Sequence, residues 1–303
     1  MESRHVRTEP DTEVLVQTQR PERPLAEVVF VHGLEGGGNA GYIVSLAHAC
    51  LSAGFVTHRF HMRTCGGTEH LTNTLYHAGL TSDLRTFLER CETPRLPTFL
   101  VGFSLGGNVV LKLAGELGDN ASQLIAGVCA ISTPIDLGAC ARRMGERDNY
   151  LYERRFVKRM RNRLIATGRY TAGQFRNARS IYAIDDKLTA PSFGFGTADR
   201  YYETQSAQGF LDRIRVPALL IQAKDDTFIP FDIFSHPAFG RNPNLRLVVT
   251  EYGGHLGFLQ RQGRRFWIDE TVTEWIEMQR TEAERVKSIA RGSEKSTPLF
   301  LPL

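Results

Sequence analysis

Apolar residues cluster in short continuous runs bounded by glycine or polar residues. They are AEVVFVHG (26–33), FVTHRFH (55–61), TFLVGFS (98–104), LIAGVCAIS (124–132), ALLIQAKD (218–225) and LRLVVTEYGG (245–254). Continuous apolarity, rather than alternation, predicts strands covered on both faces, as in a parallel sheet. Between these runs the apolar spacing changes to the helical one. YIVSLAHACLSAG (42–54) and NVVLKLAGELG (108–118) each end in a helix-stopping glycine. GLTSDLRTFLERC (79–91) gathers Leu80, Leu84, Phe87 and Leu88 on one face. RRFWIDETVTEWIEMQRTEAERV (264–286) predicts a long amphipathic helix. Strands alternating with helices predict a mostly parallel, doubly wound α/β sheet in one domain spanning 1–303.

The alternation stops between about 134 and 210. That stretch is charged, aromatic and helix-like (ARRMGERDNYLYERRFVKRMRNRLIATGRY), which predicts a helical cap inserted on top of the sheet. No internal repeat is present, and RGSEKSTPLFLPL at the end predicts a loose tail over 290–303.

Composition narrows the class. The 303 residues are 42% hydrophobic and 23% charged, as in ordinary soluble globular proteins. A net charge of +4 is too dilute to predict nucleic-acid binding, which wants a concentrated basic stripe with stacking aromatics. No run approaches the roughly 20 apolar residues of a membrane span. The polar first 24 residues lack a secretory pattern, so a cytoplasmic protein is expected. Cys50, Cys65, Cys91, Cys129 and Cys140 are odd in number and show no CxxC spacing, which predicts reduced, mostly buried thiols.

Candidate chemistry centres on GFSLG (102–106), which fits G-x-S-x-G between a predicted strand and a predicted helix. A tight turn there would hold the Ser104 hydroxyl at the edge of the sheet, with a helix N-terminus behind it. The bland alternative is a glycine-rich turn with an incidental serine. A serine hydroxyl needs a base, and the base needs an orienting acid. Downstream, one strand ends in Asp225-Asp226 and the next in Gly253-Gly254-His255. Both are strand C-termini, where such sheets place their chemistry. His255 is the expected base. The acid is Asp225 or Asp226; Asp226 is favoured because TFIP then leads the chain away from the strand, and Asp225 is expected to hydrogen-bond the turn. The backbone N–H groups of Leu105 and of Leu34, in VHGLEGGGN, are the expected oxyanion donors. The glycines there complete neither a G-K-[ST] phosphate loop nor GxGxxG, which argues against a nucleotide site.

With these pieces in place the chain resembles the α/β-hydrolase superfamily, and within it the YheT-like, ABHD-type carboxylesterases. The stretches that carry the resemblance are HGLEGG, RTCGGTEHLTNTLYHAG, GFSLGGN, DDKLTAPSFGFGTADRYYETQS, IRVPALLIQAKDD and GGHLGF, from about residue 25 to 280. The resemblance implies a catalytic triad of Ser104, Asp226 and His255, with no cofactor. Thr227 stands where this branch often has proline, and Thr64 where it often has glycine; Thr64 is expected near the acyl pocket. Membrane-anchored relatives carry an apolar N-terminal helix, which this chain is expected to lack.

Other candidates are weaker. His58, His61, Cys65 and His70 match no zinc spacing, so no metal site is expected. His77 in YHAG is expected to be a structural hydrogen-bonder. RRFVKRMRNR (154–163) reads as a basic helix with Phe156, Met160 and Leu164 on its apolar face. It is either a solvated face or a contact for an anionic membrane surface or acidic substrate. The expected activity is hydrolysis of a small acyl or lipid-like ester. Acyl transfer or thioester cleavage would use the same residues, and a catalytically silent binding module is the alternative from another class.

Overall fold

The computed structural model describes residues 1–90, 96–263 and 265–294, with 286–294 by backbone alone. Its centre is an eight-stranded sheet in the order β1-β2-β4-β3-β5-β6-β7-β8. The strands are β1 (Glu2–Glu9), β2 (Thr12–Gln19), β3 (Ala26–Val31), β4 (Phe55–Phe60), β5 (Thr98–Phe103), β6 (Gly127–Ile131), β7 (Ala218–Ala223) and β8 (Leu245–Thr250). From β4 to β8 neighbouring strands are parallel. Five of the apolar runs form the buried interior of a parallel sheet, while the sixth, β8, is its edge strand with only Leu245 buried.

The N-terminal hairpin is an addition to that reading. β1 pairs antiparallel with β2, and β2 with β4. β2 alternates, burying Thr12, Val14 and Val16, because one face looks outward at the sheet edge. β1 buries only Val6. Period-two burial with so few apolar residues gives no continuous run to detect.

Helices cover both faces. α1 (Gly41–Ser52) and a long C-terminal helix lie on one side, over Phe30, Phe99, Phe103 and Ile221. α2 (Ser82–Glu89) and α3 (Leu105–Leu117) lie on the other, over Val29, Val31, Leu100 and Leu220. Each large apolar side chain fully buried in these layers contributes roughly 1.5–3 kcal/mol. Between β6 and β7 the chain runs through α4 (Leu137–Met144), α5 (Tyr150–Ala166) and α6 (Ala198–Gln205), joined by short helical turns. α7 (Trp267–Glu294) is the C-terminal helix. The rest of the predicted tail, and Cys91, lie outside the described residues. Cys50, Cys65, Cys129 and Cys140 are buried and form no disulfide.

The topology fixes where a cleft must open. β3 is flanked by β4 and β5, so successive connections leave it in opposite directions. Ligand sites in open α/β sheets form at the C-terminal ends of strands where such a switch occurs. The segments after β3 and β5 hold Leu34 and Ser104.

Candidate active site

Ser104 occupies the junction of β5 and α3 with φ 53° and ψ −121°. A non-glycine residue in that conformation stores about 1–3 kcal/mol of strain. Its neighbours hold it there. The Ser104 N–H donates to Ile131 O (2.8 Å), and its carbonyl accepts from Gly107 N (2.8 Å). A Cβ on Gly106 would sit 2.2 Å from Val31 O, and one on Gly102 would sit 2.3 Å from Gly106 O. Only glycine permits this contact between the elbow and β3.

His255 follows β8, and its ring bridges two partners. Nε2 lies 2.9 Å from Ser104 Oγ and Nδ1 lies 2.9 Å from Asp226 Oδ2. Asp226 follows β7 and its side chain is fully buried. It also accepts from Phe228 N (2.9 Å), Ile229 N (3.3 Å) and Gln222 Nε2 (3.2 Å). Asp225 points the other way, accepting from Gly254 N (2.8 Å) on the loop that carries His255. The Phe228 ring packs 4.6 Å from the His255 ring.

The loop after β3 faces this trio. His32 is completely buried; its Nδ1 donates to Gly33 O (2.8 Å) and its Nε2 accepts from Met62 N (3.1 Å). Those two bonds define the neutral tautomer, and burial pushes its pKa down to about 3. Among the described residues no protein acceptor takes the N–H of Leu34 or of Leu105.

Glu35 is a site residue that sequence reading missed. It sits beside Leu34 with φ 54° and is buried against α5. Arg163 Nε donates to Glu35 Oε1 (2.8 Å) and Oε2 (3.1 Å), and Arg163 Nη1 to Thr64 Oγ1 (2.7 Å). Tyr76 accepts the Glu35 N–H (2.9 Å) and donates its hydroxyl to Glu35 Oε1 (3.1 Å). Thr64 thus meets the arginine of this network and does not line the apolar cavity described below. The sequence signal available was one carboxylate in a glycine-rich loop, and its partner lies 128 residues away.

Asn108, the last residue of GFSLGGN, joins three segments. Its amide donates to Ala78 O and Gln205 O and accepts from Ala207 N. The Ala78 N–H donates to the Tyr201 hydroxyl (2.7 Å). YHAG, α3 and the exit of the β6–β7 segment are therefore fastened together beneath the site. His77 accepts from Gly79 N (3.2 Å) and packs among Phe193, Phe195 and Tyr201. His58 bonds Thr18 Oγ1, and His61 lies against Gln17 and Gly38.

Two cavities meet at Ser104 and His255. The inner one, about 110 Å³, is lined by Leu75, Leu137, Met144, Met160, Leu164 and Ile181 among others and is mainly apolar. Asp185 reaches its wall, bonded by the Tyr202 hydroxyl (2.7 Å), and burial pushes its pKa up to about 6. The outer one, about 660 Å³, opens between the loop after β3 and α5. Phe156, Tyr201 and Tyr202 line these spaces, and half-exposed Tyr152 lines the outer one against Phe228, whereas Tyr150 lines neither.

The model of the alpha/beta hydrolase fold matches residues 27–262. The chain belongs to that family, in its ABHD/YheT-like branch. It is 31% identical over 260 residues to the esterase-type protein YheT of Escherichia coli (strain K12), covering 82% of this chain and 76% of that one. A monoacylglycerol lipase of Saccharomyces cerevisiae is 27% identical, covering 83% of this chain and 59% of the lipase. Among solved structures, the Est1E protein of Butyrivibrio proteoclasticus with bound ferulic acid superimposes with a TM-score of 0.61 at 13% identity. That superposition covers 91% of this hydrolase and 98% of Est1E. No described helix of the hydrolase is long and apolar enough to cross a membrane.

Proposed function

We propose that this hydrolase cleaves carboxylic esters through an acyl-enzyme on Ser104. The carrying observation is the continuous hydrogen-bonded chain from Asp226 through His255 to Ser104, ending at an apolar cavity. Esterase and lipase names among its relatives support the same chemistry.

In this reading the Asp226 carboxylate accepts a hydrogen bond from Nδ1–H of His255, which leaves Nε2 as the base. As Ser104 Oγ attacks the ester carbonyl, Nε2 takes its proton. The carbonyl oxygen becomes an oxyanion held by the Leu34 and Leu105 N–H groups. On collapse, His255 returns the proton to the departing alcohol. Water, deprotonated by the same ring, attacks the acyl-enzyme carbonyl, and the ring returns that proton to Ser104 Oγ as the acid leaves. The apolar inner cavity suits the acyl chain, with the helices of the β6–β7 segment acting as its cap. The leaving alcohol then faces the outer chamber.

A fluorophosphonate probe should label the protein at Ser104, read by peptide mass spectrometry. Ser104→Ala should lose labelling and about 10⁴–10⁶-fold in kcat while staying folded. Retention of ester hydrolysis in a contaminant-free Ser104→Ala preparation would overturn the assignment. Product analysis with an added alcohol distinguishes hydrolysis from acyl transfer.

A further inference from the structure

The outer chamber carries positive charge that ester cleavage itself does not use. Arg155 and Arg159 stand one turn apart on α5 and both line it. Among the described residues neither guanidinium makes an ion pair or hydrogen bond. Arg143 is paired with Glu146 and Asp148, and Arg163 with Glu35; Arg154 and Arg161 of α5 are also without an ion pair among the described residues, but of these unpaired arginines of α5 it is Arg155 and Arg159 that line the chamber. The chamber wall contains a single carboxylate, Glu35, and Arg163 already neutralises it. Two uncompensated cations therefore face a space that also holds Ser104 Oγ and His255. The inner cavity has the opposite character, being mainly apolar. The two halves of an ester would meet different environments on either side of the serine.

We propose that the outer chamber is a leaving-group subsite for an anion, so that preferred substrates carry a phosphate or carboxylate on the alcohol side of the ester. This rests on the ester-hydrolase reading and adds the charge of the substrate to it. An anion held there is drawn by two like charges, and because both arginines are exposed the attraction is strongest at low salt. Glycerol phosphate is one such leaving group, free or as a lipid headgroup.

The test compares 1-decanoylglycerol 3-phosphate with 1-decanoylglycerol, both kept below their aggregation concentrations. At low salt the wild type should favour the phosphate ester by tenfold or more in kcat/KM, mainly through KM. Arg155→Gln/Arg159→Gln should lower that ratio at least tenfold, and added NaCl should shrink it in the wild type. A ratio near one in the wild type, or one unchanged in the double variant, overturns the proposal. So does a dependence on the arginines that appears only when substrate is embedded in phosphatidylglycerol vesicles; that result would assign them to a membrane surface. Binding of 1-O-decylglycerol 3-phosphate and of 1-O-decylglycerol to Ser104→Ala, by calorimetry, separates the two readings. If the wild type cleaves neither ester but the phosphate ether still binds more tightly through the arginines, the anion subsite stands and the hydrolase reading falls. If both esters are cleaved with no charge preference, the reverse holds.

Discussion

Asp225 and Asp226 are adjacent in the chain and opposite in surroundings. Asp226 is fully buried, with one oxygen on His255 and the other on the N–H groups of Phe228 and Ile229. Asp225 is exposed and accepts from Gly254 N alone. Asp226→Asn keeps the shape but puts an amide where an acceptor is required, so His255 is driven toward the tautomer that cannot deprotonate Ser104. The loss expected in kcat is about 10³–10⁴-fold. Asp225→Asn keeps a carbonyl oxygen for Gly254 and should cost less than about tenfold, within the range of one loop hydrogen bond. Steady-state kinetics on any accepted ester checks the ranking, and a larger loss for Asp225→Asn would mean that the acid had been assigned to the wrong neighbour.

At the level of elements, the loop after β3 is held from two sides. His32 fastens its start to Met62, and the Glu35–Arg163 pair ties it to α5. Because Leu34 lies between these anchors, its N–H direction depends on both. Arg163→Met leaves the buried Glu35 charge unpaired, which should destabilise the fold by about 3–5 kcal/mol. The Glu35→Gln/Arg163→Met double variant should recover part of that, giving non-additive denaturation midpoints. Glu35→Gln alone should lower kcat about tenfold or more, because the pair with Arg163 holds the loop that carries the Leu34 N–H. Additive single effects, or a loss confined to KM, would count against a positioning role. This network also marks where sequence reading stopped. The parallel strands β3 to β7 were legible because both faces are covered and their apolar runs are continuous; β8 kept a readable run, LRLVV, at the sheet edge. Ser104, the aspartate pair and His255 were legible because each follows such a run. The β1–β2 hairpin, with Val6, Val14 and Val16 as its buried apolar residues, left no run to read. Glu35–Arg163 is created by folding the β6–β7 segment over the sheet, and nothing in either local sequence names its partner.

For the whole molecule, the buried titratable groups set how stability responds to acid. Burial lowers the pKa of His32 to about 3, of His61 to about 4 and of His77 to about 3, with Lys112 and Arg63 adding to the effect at His77. In the unfolded chain each ring returns to about 6.5 and takes up a proton below that pH. A ring whose folded pKa is lowered therefore loses stability for the native state as pH falls through 6.5 toward the folded value. Asp185 acts in the opposite direction, because burial raises it to about 6 from 3.8. Between pH 6 and 4 the folded state binds its proton while the unfolded state releases it. Three rings against one carboxyl leave a net uptake of about two protons on unfolding near pH 5. The corresponding slope is about 3 kcal/mol per pH unit, with stability decreasing toward acid. For a chain of this size that lowers Tm by roughly 5 °C per pH unit. Calorimetric or circular-dichroism melts from pH 7 to 4.5 check this. His77→Gln, which retains an acceptor for Gly79 N, should remove about one of the two protons and halve the slope. A Tm that stays flat across that range in the wild type would mean that the rings are protonated in the folded state, and that the neutral His32 holding Gly33 and Met62 is not the species present at pH 5.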